Sequence, residues 1–194
     1  PRCFVNSALN CFKCQGLILI QSGFINMTNF GPITQLGYLT DDIEAAATLW
    51  ANVLAVGPWT RMSGVKMTTT MDGKSAEILI DVALSYRNGI QIELIQPLCD
   101  SLSPYKFYKE NKVWGSHHTQ FTVDDLDEAI ANAEAGGMET ACVIEASGAK
   151  YIYMRGAVGW IELVTPQPGL EMLFGMIRKS CEDWDGKTVF HTLG

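Results

Sequence analysis

Four side chains able to hold a metal or move a proton fall at matching places in two related stretches of this chain. They are Gln35 and Glu93 in the first stretch, His118 and Glu162 in the second. Residues two apart on a strand share a face. In the run Ile90 to Gln96, Ile90, Ile92 and Leu94 form an apolar face, while Gln91, Glu93 and Ile95 point the other way. Glu162 likewise lies opposite Ile161 and Leu163, flanked on its own face by Trp160 and Val164. Either glutamate alone reads as a solvated residue on the wet face of an antiparallel strand. The pairing changes that reading. Packed about a pseudo-twofold axis, the two stretches would bring both carboxylates together with Gln35 and His118. A carboxylate among Trp160, Val164 and Ile95 is costly to bury unless it is paired or metal-bound, and a divalent cation removes the repulsion between two that face each other.

The elements that must position these residues follow from the repeat. Gln35 to Ala46 aligns with His118 to Ala129, and Ile92-Glu-Leu-Ile-Gln-Pro97 with Ile161-Glu-Leu-Val-Thr-Pro166. Each copy opens with a β-rich run that ends in an acidic pair and passes into a helix. Asp41 with Glu44, and Asp125 with Glu128, have capping-box spacing. The first helix is predicted over 42–54, with Ile43, Ala46, Ala47, Trp50 and Leu54 on one face, and the second over 126–135, ending at Gly136-Gly137. Three strands follow each helix: 59–63, 76–86 and 90–96, then 140–145, 149–154 and 160–164. Asn88-Gly89 and Ser147-Gly148 mark hairpin turns. The fold class is therefore α+β, with two tandem βαβββ modules at 27–100 and 115–167. A linker with a short helix joins them over 101–114, carrying Tyr105, Phe107 and Tyr108, and a C-terminal helix and tail fill 168–194, offering Leu173, Phe174, Ile177 and Cys181 to the body. Residues 1–26 break the pattern and are expected to be a leader or upstream-start extension of unclear role.

Composition excludes several classes of partner. A net charge of −7 gives neither nucleic acid nor an anionic membrane the clustered positive charge that it needs. The longest apolar stretch, Leu17 to Ile20, is far short of the ~20 residues of a membrane span, and the expected location is cytoplasmic. Six cysteines are scattered without a disulfide framework. Cys11 and Cys14 form a C-x-x-C with no second half, which argues against a zinc or redox role.

The first strand ending in Asp41-Asp42, the Ile92-Glu93-Leu94 strand, the run from His118 to Asp125 and the closing Ile161-Glu162-Leu163-Val164 resemble the vicinal oxygen chelate superfamily, which includes glyoxalases, bleomycin resistance proteins and extradiol dioxygenases. The resemblance spans residues 30 to 166. It implies paired modules rolled into an open, U-shaped mixed sheet with flanking helices, and one ligand from the first and last strand of each module. Carried over residue by residue, the ligands to one divalent ion (Zn, Ni, Co or Mn) are Gln35, Glu93, His118 and Glu162, a set similar to that of glyoxalase I.

The resemblance thus implies a metal-dependent isomerase, epimerase or lyase of the glyoxalase type, possible as a homodimer, with Glu162 as the mobile base and Glu93 as a second carboxylate able to take that part. Two other readings compete. A drug-sequestering protein of the bleomycin-resistance kind would need no metal, and the four ligand-type residues count against it. An extradiol dioxygenase needs a second histidine, and strand alternation points His117 to the opposite face, while His191 lies in a tail without a motif. Convincing counterparts of glutathione-binding residues are lacking, Arg61 and Arg87 being weak candidates for an anionic group. Trp59, Met62, Met67 and Met71 could line an adaptable apolar pocket. A bulky apolar carbonyl compound or an acyl thioester is therefore as good a candidate substrate as a glutathione adduct.

Overall fold

The structure, a computed structural model, describes residues 30–157 and 159–192. The N-terminal extension and the Cys11–Cys14 pair lie outside the described residues. The elements run β1 (Ile33–Leu39), α1 (Ile43–Leu54), β2 (Thr60–Met71), β3 (Lys74–Arg87), β4 (Ile90–Pro97), α2 (Lys106–Asn111), β5 (Gly115–Thr122), α3 (Leu126–Ala135), β6 (Glu139–Ala146), β7 (Ala149–Gly156), β8 (Gly159–Val164) and α4 (Pro168–Glu182).

Local chemistry sets the helix starts. Asp42 caps α1 by accepting from the Ala45 N–H at 2.9 Å, and Asp125 caps α3 by accepting from the Glu128 N–H at 3.0 Å. The first cap is therefore Asp42 and not Asp41. On α1, Ile43, Ala47 and Ala51 are the buried residues, while Leu54 is half exposed, because the helix ends there with Ala55 in the left-handed region.

The eight strands form one mixed sheet in the order β1-β4-β3-β2-β6-β7-β8-β5, which closes into a barrel. β1 pairs with β4, and β5 with β8, in parallel; the other pairings are antiparallel. This differs from the open U of the sequence reading, and the cause is β2. It runs to Met71 instead of stopping near Ser63, turns into β3 through Asp72 and Gly73, both at positive φ, and lays Thr68–Met71 antiparallel to Cys142–Glu145 of β6. That pairing removes two sheet edges that would otherwise be open.

The outside of the barrel is covered by helices. α1 packs on Ile92, Leu94 and Ala83, and α3 on Leu163, Ile152 and Met154. Inside, Ile78, Ile80, Val82, Leu84, Ile95 and Ile144 build a core onto which α4 lowers Leu173, Phe174, fully buried Ile177 and Cys181. One end of the interior is left for polar side chains.

Candidate functional site

β4, β1, β5 and β8 lie side by side, so their register decides which side chains meet. One row across the four strands reads Gln91, Gln35, Gln120, Glu162; the next reads Glu93, Gly37, His118, Trp160. Both rows face the interior. The four sequence-predicted residues are brought together: His118 Nε2 lies 3.1 Å from Gln35 Oε1, 3.6 Å from Glu93 Oε2 and 3.7 Å from Glu162 Oε2.

The glutamine row orients the first of them. Gln91 donates to the Tyr86 hydroxyl at 2.8 Å, and Gln35 donates to Gln91 Oε1 at 2.6 Å, which leaves Gln35 Oε1 facing the centre. Gln120 then donates to Gln35 Oε1 at 3.0 Å and to Glu162 Oε1 at 2.6 Å. Glu162 is thereby tethered, whereas Glu93 has no hydrogen-bond partner among the described residues and its side chain is 17% exposed.

Burial dominates the electrostatics. It raises the Glu162 pKa to about 7, against the opposing pull of the Tyr153 hydroxyl and the Gln120 amide. It raises that of Glu93 well above the usual carboxylate range, with help from the charge of Glu162. It also lowers that of His118 to about 3, so the imidazole is neutral. Among the described residues no lysine or arginine pairs with either glutamate. The carboxylates open onto a chamber of about 180 Å³ walled by Met62, Val65, Met67, Ile80, Leu173 and Phe174.

A sequence profile described as the glyoxalase/bleomycin resistance protein/dioxygenase superfamily matches residues 34–154. The chain belongs to that superfamily. Among solved structures, methylmalonyl-CoA epimerase from Mycobacterium tuberculosis superposes with a TM-score of 0.52 at 19% identity, covering 76% of this chain and 98% of its own. A Streptomyces coelicolor methylmalonyl-CoA epimerase variant in complex with 2-nitronate-propionyl-CoA does so with 0.51 at 14% identity, covering 72% and 97%. A hypothetical protein from Bacillus halodurans gives 0.50 at 17%, covering 70% and 94%. At these identities the likeness is one of fold. No curated protein sequence matches the chain.

The donor set of this superfamily member fits a divalent cation. A buried carboxylate (Glu162), a partly buried one (Glu93), an amide oxygen turned inward and a neutral imidazole converge where the surrounding side chains supply no positive charge. As they stand, no three His, Cys, Asp or Glu side chains among the described residues are drawn in to ligand spacing. The approaches of 3.6 and 3.7 Å measure that gap.

Other candidates are placed elsewhere. Arg61 is engaged by Asp81 at 2.6 Å and Glu44 at 2.8 Å, and Arg87 donates to the Ala55 carbonyl at 2.9 Å, so neither lines the chamber. Met62 and Met67 do line it, while Trp59 is fully buried against Trp50 beneath α1 and Met71 packs on the barrel core. His191 bonds Ser180 at 3.0 Å on the surface. His117 contradicts the alternation argument. The register slips by one residue between Gly37–His118 and Tyr38–Ser116, a bulge that leaves His117 buried beside His118 instead of on the opposite face. Gly37 was also missed: a Cβ there would fall within the His118 ring, so only glycine lets the imidazole lie over β1.

Proposed function

We propose that this chain is a metal-dependent isomerase, epimerase or lyase that removes a proton from the carbon beside a carbonyl. The observation that carries the reading is the pair of carboxylates, one buried and one partly buried and both raised in pKa, within 4 Å of one imidazole at the end of an apolar chamber. Gln35, Glu93, His118 and Glu162 would hold the ion, and when bound it supplies a Lewis acid for the carbonyl oxygen. The protein's part is proton transfer. A carboxylate whose pKa lies near the working pH takes and returns a proton without a large driving-force penalty, and two carboxylates offer two directions of approach, which epimerisation needs. The glyoxalase I resemblance gives the mobile role to Glu162. The tether from Gln120 weighs toward Glu93 as the freer base and Glu162 as the held ligand.

The apolar wall favours a compact carbonyl compound or the acyl end of a thioester, the latter in keeping with the CoA ligand of a fold neighbour. The test is exchange of substrate α-protons in deuterated solvent across cyclic ketones, α-hydroxy carbonyls and acyl-CoA thioesters, with zinc, nickel, cobalt or manganese supplied. Exchange with at least one class is expected, falling ~10²- to 10⁴-fold in whichever of Glu93→Gln and Glu162→Gln removes the base. Wild-type exchange rates in both variants, or no uptake of any of the four metals, would sink the reading.

A further inference from the structure

Past the glutamine row the barrel opens into a second hollow, of about 610 Å³, that the proposed chemistry does not use. It shares Gln91, Gln120, Gln167 and Phe174 with the chamber, so the two spaces meet at the edge of the site. Gln167, Glu171, Phe174 and Arg178 recur at helical spacing and all line the hollow, which makes one stripe of α4 its wall. α4 lies beyond residues 34–154, so the superfamily match says nothing of this wall.

The hollow has one corner rich in donors. The Arg178 guanidinium carbon lies 4.9 Å from the centre of the Tyr86 ring, a cation–π contact that holds the charge in place. The other described arginines are occupied: Arg61 by Asp81 and Glu44, Arg155 by Glu139, and Arg87 by the Ala55 carbonyl. Among the described residues Arg178 makes no ion pair with a carboxylate. The Tyr86 hydroxyl accepts from Gln91 at 2.8 Å, and its own proton has no acceptor among them. A guanidinium and a hydroxyl proton that border one hollow without a negative partner suit an anionic oxygen. A carboxylate fits better than a phosphate. The guanidinium fork matches its two oxygens, one cation balances one charge, and Glu171, about 10 Å back along the stripe, disfavours a second.

Register sets the distance from this corner to the centre. Tyr86 pairs with Gln91 and Gln91 with Gln35, so the tyrosine stands two strands from Gln35 in one row, roughly 10 Å across the sheet. We propose that the corner formed by Arg178 and Tyr86 binds a carboxylate at the far end of the substrate, while the substrate's carbonyl lies at the centre. The substrate class is then a keto acid, or a related carbonyl acid, with several carbons between its two functional groups. That class rests on the reading of the centre as a proton-abstraction site; the carboxylate site does not.

The test is calorimetric titration of the full chain, loaded with zinc and at low ionic strength, with 6-oxoheptanoate, its methyl ester, and 5-oxohexyl phosphate. The keto acid should bind ~10-fold or more tightly than the ester, the usual effect of a hydrogen bond to a charged group. Arg178→Met should abolish that preference, and Arg178→Lys, which keeps the charge without the planar fork, should retain part of it. Tyr86→Phe, which keeps the ring beneath the guanidinium, should lose a smaller part. Equal affinity for acid and ester in wild type, or a preference that survives Arg178→Met, overturns the site. Binding of the phosphate as tightly as the keto acid overturns the choice of carboxylate. Proton exchange then tests the substrate class: the α-protons of the acid should exchange with deuterated solvent faster than those of the ester, and equal rates overturn the class. A keto acid that binds through Arg178 but exchanges no proton would sink the reaction and leave the carboxylate site standing.

Discussion

At the scale of single residues, the site depends as much on what is missing at position 37 as on its four donors. Gly37 pairs with Glu93 on one side and His118 on the other, so it sits between two of the predicted ligands with nothing above it but the imidazole. A Cβ would occupy the space of the ring. Gly37→Ala should therefore cost about 1–3 kcal/mol in stability through overpacking and push His118 from the centre, lowering metal affinity further than the loss of stability alone would. Thermal melts and zinc titration check both parts. If the variant binds zinc as tightly as wild type, His118 does not act from the position described. Period-two alternation puts Gly37 on the same face as Gln35, but no rule of periodicity says that a neighbouring ring will lie over it.

At the scale of elements, α4 has two separable jobs. Ile177 is fully buried in the barrel core, while Leu173 and Phe174, about a turn earlier, wall the chamber. Ile177→Ala should destabilise the fold by about 2–4 kcal/mol, in the range for deleting a buried branched side chain. Phe174→Ala should cost less, because the residue is only partly buried, and should enlarge the chamber so that bulkier apolar ligands bind better relative to small ones. The comparison is made by melting temperature and by competition between ligands of different size. Equal destabilisation with unchanged size preference would show that α4 closes the barrel without shaping the site. The spacing of Leu173, Phe174, Ile177 and Cys181 predicts that this helix packs on the body. It could not say that the surface beneath is the mouth of a barrel.

For the whole molecule, the carboxylates at the centre make stability depend on pH. In the folded, metal-free protein Glu162 keeps its proton up to about pH 7, and Glu93 beyond the usual carboxylate range, whereas in the unfolded chain glutamates ionise near 4.5. Across that interval the folded state binds more protons, so the Glu162 contribution to stability falls as pH rises from about 4.5 through 7 and levels off above that, while the Glu93 contribution goes on falling until its own raised folded value is passed. Glu162→Gln removes one such group. Its melting temperature relative to wild type should therefore rise between pH 5 and 7 in chelator-treated samples, and the advantage should vanish or reverse with saturating zinc, which stabilises the ionised wild-type site. A melting difference independent of pH would mean that Glu162 is ionised normally and is not buried as described.

What the sequence determined by itself is what a strand or helix imposes on its own side chains. Period-two alternation sorted Ile92 and Leu94 from Gln91 and Glu93, helical spacing found α1, α3 and α4, and the internal repeat placed Gln35, Glu93, His118 and Glu162 at equivalent positions before any contact was known. These depend on neighbours within a few residues, or on a copy of the same pattern. The tertiary structure alone decided matters that depend on distant partners. Thr68–Met71 meets Cys142–Glu145, and the sheet closes where an open one was expected. A bulge opposite Gly37 turns His117 inward, against the alternation that regular strands obey. The inward face of Gln35 Oε1 is fixed by amides from β4 and β5, and Glu162 is tethered by Gln120 while Glu93 is left free. Register between strands is set by the balance of packing over the whole barrel, which no local window contains, and with it the protonation and orientation of every group at the centre.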